Sequence, residues 1–146
     1  MGQLNVPDGA IIYLDTSPII YSIERHIDYW QLLKPVWEKL PSGNIHLISS
    51  ELLLLECLII PLRTNNTVLI NAYDQFLSSH ITLHPIRESI LRSAAQLRAT
   101  NHLKTPDAIH AATALNIGCT LFLTNDAGLR TIPGLSVVVL KDVLNA

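Results

Sequence analysis

Four carboxylates occupy positions in the sequence that suggest a shared chemical role. Asp15 and Asp126 each follow a short apolar run, Glu56 interrupts a long apolar stretch, and Asp107 follows a Thr-Pro pair. Like charges about 5–7 Å apart repel by a few kcal/mol per pair at an effective dielectric near 20, so such a cluster persists only where cations neutralise it. All-oxygen ligands favour Mg²⁺ or Mn²⁺ over zinc. If these acids meet in the fold, they predict a divalent-metal site.

Glu56 is the most informative of the four acids. It follows Leu52–Leu55 and precedes further apolar residues, and a helix so apolar on every face is predicted to be mostly buried. A glutamate is almost never buried without a partner, because an unpaired carboxylate is costly to desolvate. A salt bridge to Arg63 or Arg98 is the ordinary explanation, and we prefer a metal ligand at the edge of a cleft. Glu51 lies about 140° away around the helix and is predicted to be a surface acid.

The other three acids also have ordinary explanations. Asp15 could cap a helix, although Thr16 and Ser17 can cap the same helix and would leave the aspartate free. Asp107 lies in a first helical turn, where the macrodipole keeps an acid ionised, as a metal ligand must be. Asp126 could be a turn residue. None of these roles prevents the three side chains from sharing a site.

Strands and helices alternate along the chain, and this order positions the acids. Apolar runs predict strands at 11–14, 45–48, 81–85, 121–123 and 136–140. Periodicity and capping residues predict a helix after Thr16-Ser17-Pro18 and further helices over 29–40, 49–63, 66–77, 86–97 and 105–115. The helix over 49–63 is predicted to be capped by Ser49-Ser50 and to end near Pro61, and Gly118 is predicted to close the last helix. This order implies right-handed crossovers and a parallel sheet covered on both faces. Ligands bind at the carboxyl ends of such strands, where Asp15 and Asp126 are expected.

Composition limits the classes of protein that fit. The 146 residues suit a single domain over 1–146, and about half of them are apolar, which is enough for a core. No signal peptide and no apolar run of the roughly 20 residues needed for a membrane span is evident. Cys57 and Cys119 are predicted to be buried, reduced thiols, so we expect a cytoplasmic protein. The net charge of −2 is unusual for a nucleic-acid binder, but an acidic metal site lowers the total.

Four segments resemble the successive motifs of PIN domains, and those of the VapC-like toxins of prokaryotic toxin–antitoxin pairs in particular. They cover essentially the whole chain in order: Tyr13–Ser17, Ser50–Arg63, Leu103–Ala108 and Phe122–Asp126. The resemblance implies a three-layer α/β/α fold with a central five-stranded parallel sheet, and an endoribonuclease that depends on Mg²⁺ or Mn²⁺. It also implies an RNA substrate, a homodimer and a cognate antitoxin. The acidic site that it carries over consists of Asp15, Glu56, Asp107 and Asp126, with Thr16 and Thr124 beside them.

The expected reaction is hydrolysis of a phosphodiester bond. A metal ion held by Asp15 and Asp107, together with Asp126, would lower the pKa of a bound water and make it a nucleophile. Glu56 would either bind a second ion or orient the attacking water. His110 lies one turn after Asp107 and could face the cleft, although a structural role is more common for such a histidine.

Other polar and aromatic residues have both a functional and an ordinary interpretation. Arg25, Lys104 and Arg130 could touch phosphates, but each alone is better explained as a solvated charge. The positive mean hydropathy indicates exposed apolar surface suited to a dimer or an antitoxin groove. The candidates are Tyr21, Tyr29 and Trp30, with core packing as the alternative.

Two other classes of protein fit part of the pattern. A haloacid-dehalogenase-like phosphatase also places an aspartate after its first strand, but it needs a second aspartate two residues later, where this chain has Ser17. A PIN fold kept only for binding RNA or protein would have no need of four acids. Binding of Mn²⁺ separates the second alternative from a nuclease.

Overall fold

Five parallel strands form the centre of the computed structural model, which describes residues 2–146. The strand order is β3-β2-β1-β4-β5, and every neighbouring pair runs parallel. The bounds are Ala10–Leu14 for β1, Ile45–Ser50 for β2, Thr82–His84 for β3, Leu121–Thr124 for β4 and Val137–Val139 for β5. Because β1 and β4 are neighbours in the middle of the sheet, the residues that follow them meet at one edge.

Helices cover both faces of the sheet and produce three layers. Their bounds are Thr16–Ile23 (α1), Tyr29–Lys39 (α2), Leu52–Arg63 (α3), Thr67–Ser79 (α4), Glu88–Thr100 (α5), Thr105–Ile117 (α6) and Leu140–Leu144 (α7). Short 3₁₀ turns occupy Leu40–Ser42 and Ala127–Thr131. One core cluster joins the sheet to α1–α4 and α7, and the other joins it to α5 and α6. The predicted α/β/α fold with a five-stranded parallel sheet is therefore confirmed.

The pleat of β1 explains how one strand serves both cores. Ile12 and Leu14 point into the cluster shared with α1–α4, whereas Tyr13 points into the cluster shared with α5 and α6. All three side chains are fully buried. A strand buried on both faces reads as a continuous apolar run, which is why its position could be predicted from the sequence.

Two predicted helix boundaries are wrong. Asp15 caps α1 through its own carboxylate, so Thr16 and Ser17 are the first helical residues and not the caps. The helix predicted over 49–63 begins only at Leu52, because Ser49 and Ser50 belong to β2, and it ends at Arg63 as predicted, with Pro61 inside it. A proline late in a helix removes one backbone hydrogen bond, and here this loss does not end the helix.

The prediction that α3 is mostly buried is also wrong. Only one stripe of the helix, formed by Leu53, Cys57 and Pro61, is buried. Leu55 and Leu62 keep about 60% and 58% of their surface exposed. The helix is apolar on all sides because two different faces are apolar, and only one of them packs against the rest of the domain, chiefly against α1 and α4.

The predicted fifth strand was too long. Its last residue, Leu140, begins α7, a five-residue helix that was not predicted from the sequence. No helix within residues 2–146 is long and apolar enough to cross a membrane. Cys57 is buried and Cys119 half-buried, and both are free thiols.

Candidate active site

Asp15 lies at the centre of a polar cluster at the carboxyl ends of β1 and β4. Its Oδ1 atom accepts a hydrogen bond from the backbone N–H of Thr16 at 2.8 Å, and its Oδ2 atom accepts one from the Thr124 hydroxyl at 2.7 Å. The residue is only 6% exposed. Capping α1 and belonging to the cluster are thus roles of the same carboxylate, because each of its oxygens has a separate donor.

Glu56 reaches the same cluster from α3. Its Oε1 atom accepts hydrogen bonds from the Thr16 hydroxyl at 2.8 Å and from His110 Nε2 at 2.6 Å. Burial alone would raise the pKa of this carboxyl. The hydrogen bond from His110, the charge of that ring when it is protonated, and the hydrogen bond from the Thr16 hydroxyl outweigh burial and lower the pKa below its usual value. The arginine pairing considered from the sequence is not what stabilises Glu56, and Arg98 instead donates to the Leu103 carbonyl.

Asp107 and Asp126 complete the acidic set. Asp107 lies in the first turn of α6, and its side chain is half-buried. Burial, the charges of Asp15 and Asp126 and a hydrogen bond shared with Asp126 raise the pKa of Asp107 to about 6. The backbone N–H of Asp126 donates to the Thr124 hydroxyl at 3.0 Å, so Thr124 bridges Asp126 and Asp15. Three carboxylates that are distant in sequence therefore feel one another's charge.

His110, for which the sequence left a position facing the cleft and a structural role both open, lies inside this cluster. It is 1% exposed, and its ring lies between the Tyr13 hydroxyl, 2.6 Å from Nδ1, and Glu56, 2.6 Å from Nε2. Asp15 Oδ1 is 3.6 Å from the same Nε2 atom. Its spacing of one helical turn from Asp107 was the only signal in the sequence. Tyr13 lies on β1, and its position beneath the site had no sequence signal.

The basic residues named from the sequence lie outside this network. The Arg25 guanidinium lies 5.0 Å from the centre of the Trp30 ring. Arg130 pairs with Asp142, and Lys104 is exposed just before α6. Of these three basic residues, only Lys104 has neither an ion pair nor an aromatic contact in the described part of the chain, and it lies three residues before Asp107 in the sequence.

The aromatic residues proposed as an exposed surface are packed instead. Tyr21 and Tyr29 stack on each other at 4.5 Å and pack half-buried against the core. Trp30 lines a cavity of about 610 Å³ between α1, α2 and α4. None of the four acids lines this cavity, so it is separate from the polar cluster.

The donor set suits a hard divalent cation. All four acids offer oxygen, the preferred ligand of Mg²⁺ and Mn²⁺. Burial and, after it, the charges of Asp15 and Asp126 oppose the ionisation of Asp107 and raise its pKa, and a cation would relieve the part that comes from those charges. Among residues 2–146, no three His, Cys, Asp or Glu side chains already converge on one point. Binding an ion therefore requires the carboxylates to turn from their present hydrogen-bond partners towards it.

Comparison with known proteins places the fold. A family model of the PIN domain matches residues 12–135. A chain of VapBC2 from Rickettsia felis is 19% identical with a TM-score of 0.71, over 88% of this chain and 98% of that one. A chain of a toxin–antitoxin complex from Klebsiella pneumoniae is 22% identical with a TM-score of 0.65, over 88% of this chain and 97% of that one. A chain of VapBC-5 from Mycobacterium tuberculosis is 18% identical with a TM-score of 0.57, over 89% of this chain and 98% of that one. No curated protein matches the chain in sequence.

Proposed function

The chain belongs to the PIN-domain family, and from this premise we propose that it is a metal-dependent endoribonuclease that hydrolyses phosphodiester bonds in RNA. The observation that carries the proposal is the electrostatic coupling of Asp15, Asp107 and Asp126 at the carboxyl ends of β1 and β4. Acids that only cap helices or close turns have no reason to lie where the charges of two of them raise the pKa of the third, Asp107. A divalent cation gives them one.

Asp15, Asp107 and Asp126 are the residues that would hold Mg²⁺ or Mn²⁺. The bound ion supplies positive charge that activates a water molecule and stabilises the charge that develops on the scissile phosphate. Thr124 holds one oxygen of Asp15 and the backbone of Asp126, and so keeps two of these ligands in register.

Glu56 has a different role from the three aspartates in this proposal. Its Oε1 atom is held by Thr16 and His110, which leaves Oε2 to orient the attacking water or to hold a second ion. The lowered pKa keeps the carboxylate ionised and able to accept a proton or a hydrogen bond at neutral pH. Thr16 touches both Glu56 and Asp15, so it ties the two functions together.

We further propose that the nuclease is the toxin of a VapBC-type pair, inhibited by a cognate antitoxin and assembled as a homodimer. Similar solved structures include VapBC proteins from two bacteria, one of them bound to promoter DNA, and a toxin–antitoxin complex from a third. Exposed apolar side chains on α3 offer a surface for a protein partner: Leu54, Leu55, Ile59, Ile60 and Leu62.

Metal-stimulated cleavage of RNA by the Asp15→Asn variant tests the proposed activity. Asparagine still caps a helix but loses the negative charge, so the fold should persist while metal-stimulated cleavage falls by at least about 100-fold. Asp74→Asn, the same substitution at an exposed position on α4, is the matched control and should cleave like the wild type. Cleavage that is unchanged in Asp15→Asn would refute the assignment.

Calorimetry with Mn²⁺ separates the nuclease from a PIN fold kept only for binding. The wild-type protein should bind Mn²⁺, and Asp15→Asn should bind it at least about tenfold more weakly, because a ligand charge is lost. A wild-type protein that binds RNA but neither binds Mn²⁺ nor cleaves would favour the binding module.

A further inference from the structure

We propose that His110 is a positioning residue for Glu56, and that the Tyr13 hydroxyl selects the imidazole tautomer that does this. The inference rests on the proposed nuclease function and assigns roles to two buried residues, Tyr13 and His110. The geometry that carries it is a buried chain of contacts from β1 through α6 to α3, ending at one oxygen of Glu56.

In the neutral ring of His110, the contacts leave little choice about which nitrogen carries the proton. Nε2 lies 2.6 Å from Glu56 Oε1, and an ionised carboxylate can only accept hydrogen bonds. Nε2 must therefore donate. Nδ1 lies 2.6 Å from the Tyr13 hydroxyl, and a tyrosine hydroxyl that donates there leaves the ring proton on Nε2.

The environment of Tyr13 supports the same direction. The side chain is fully buried, and burial keeps the pKa of its hydroxyl well above the usual value, so the group remains a protonated donor. The two neighbouring hydroxyls, those of Ser49 and Thr113, donate their protons to the backbone carbonyls of Leu14 and Ile109. Neither proton is therefore directed at the Tyr13 oxygen, and the Tyr13 hydroxyl is left to donate to His110. The ring of Tyr13 is also held in place by stacking on Phe122 at 4.9 Å.

The consequence for the site is that Glu56 is held by one oxygen. Thr16 and His110 both donate to Oε1, and within residues 2–146 no group donates a hydrogen bond to Oε2. Fixing one oxygen orients the other, as hydrogen-bonded partners behind a metal site commonly do. Loss of such a partner typically costs roughly 10–100-fold in activity or metal affinity, which sets the scale of effect to expect.

Nitrogen-15 NMR of histidine-labelled protein reads the tautomer directly. The chain has 6 histidines, and loss of one signal in His110→Gln assigns the relevant ring. We expect a protonated Nε2 in the wild type, and a smaller fraction of that form in Tyr13→Phe. An unprotonated Nε2 in the wild-type protein would overturn the proposal, whatever the activity of the protein.

Steady-state kinetics tests whether the contact matters for catalysis. Tyr13→Phe keeps the stacked ring and should lower kcat about 10–100-fold with KM changed by less than about threefold. His110→Leu should lower kcat at least as far, and His110→Gln should recover part of the loss because its amide can donate to Glu56. Equal activity of the Leu and Gln variants, or an unchanged kcat in Tyr13→Phe, would overturn the positioning role.

Tyr73→Phe is the matched control for a merely structural effect. Tyr73 is also fully buried and its hydroxyl donates to a carboxylate, that of Glu24, outside the polar cluster. We expect it to lower the melting temperature about as much as Tyr13→Phe but to leave kcat unchanged. If the wild-type protein does not cleave RNA with metal, the nuclease proposal fails, while the NMR result still decides the tautomer of His110. If the wild type cleaves RNA and the Tyr13 and His110 variants cleave it equally well, only the positioning proposal fails.

Discussion

At the scale of single residues, each acid in the cluster serves the fold and the candidate site at once. Asp15 caps α1 with one oxygen and accepts from Thr124 with the other. Asp126 accepts from the backbone N–H of Gly128 and still influences the pKa of Asp107. A local role and a role in a cluster are therefore not alternatives here. An ordinary explanation for each acid, taken one at a time, could not have excluded a shared site.

Replacing Asp107 by asparagine should stabilise the metal-free protein above pH 6. The pKa of Asp107 is raised from 3.8 to about 6 in the folded state, so folding opposes its ionisation. The penalty is absent below about pH 4, where the carboxyl is protonated in both states, and is complete above about pH 6. Solvent screens part of it because the side chain is half-buried, and the helix N-terminus offsets a few tenths of a kcal/mol, so we expect a gain on the order of 1 kcal/mol.

Urea unfolding of Asp107→Asn and wild type at pH 4 and pH 8, with a chelator, measures this gain. The two proteins should have similar stability at pH 4 and differ at pH 8, whereas the exposed control Asp74→Asn should show no such divergence. Adding Mn²⁺ should then stabilise the wild type more than Asp107→Asn. A variant that is less stable than the wild type at pH 8 would show that the ionised Asp107 carboxylate stabilises the fold by more than burial and repulsion destabilise it.

At the scale of secondary structure, short-range patterns were sufficient for most elements of this chain. All five strands were predicted within a few residues, because strands buried on both faces are continuous apolar runs. The exposure of α3 could not be predicted, because the stretch from Leu52 to Ile60 is too apolar to show which stripe packs against the core. The contact between Tyr13 and His110 could not be predicted either, because it joins two residues that are 97 positions apart in the sequence and meet only when α6 packs on the sheet.

The C-terminus of α6 can be destabilised without touching Asp107 and His110, which lie near the N-terminus of the same helix. Gly118 caps α6 with φ +79°, and a Cβ there would meet nothing within 4 Å. Gly118→Ala should therefore cost about 1 kcal/mol through backbone strain alone. Gly118→Asn should cost less, because asparagine tolerates the left-handed region better.

Chemical denaturation of both Gly118 variants provides the measurement, with kcat as a second readout. Asp107 and His110 lie in the first two turns of α6, so kcat at saturating metal should stay at the wild-type value. A large fall in kcat without loss of stability would mean that the far end of the helix also determines the geometry of the site.

At the scale of the whole molecule, the two faces of α3 relate the site to its surroundings. The buried stripe places Cys57 in the core next to Glu56, which reaches into the polar cluster. Leu55, Ile59 and Leu62 follow the i, i+4, i+7 spacing of a second apolar stripe that faces solvent. A monomer gains nothing from such a stripe, and a helix that packs against its own symmetry mate would cover both copies at once.

The proposed homodimer is therefore expected to depend on the outer stripe of α3. Leu55→Lys combined with Leu62→Lys places two charges on that stripe, and lysine is a good helix former, so the fold should persist while the dimer dissociates. Light scattering after gel filtration at micromolar concentration measures the mass, which should fall from that of two chains to that of one. Leu91→Lys, at an isolated leucine on α5 that is 49% exposed, should leave the mass unchanged. A wild-type protein with the mass of one chain would refute the dimer, and a double variant that still dimerises would place the interface on another face of the molecule.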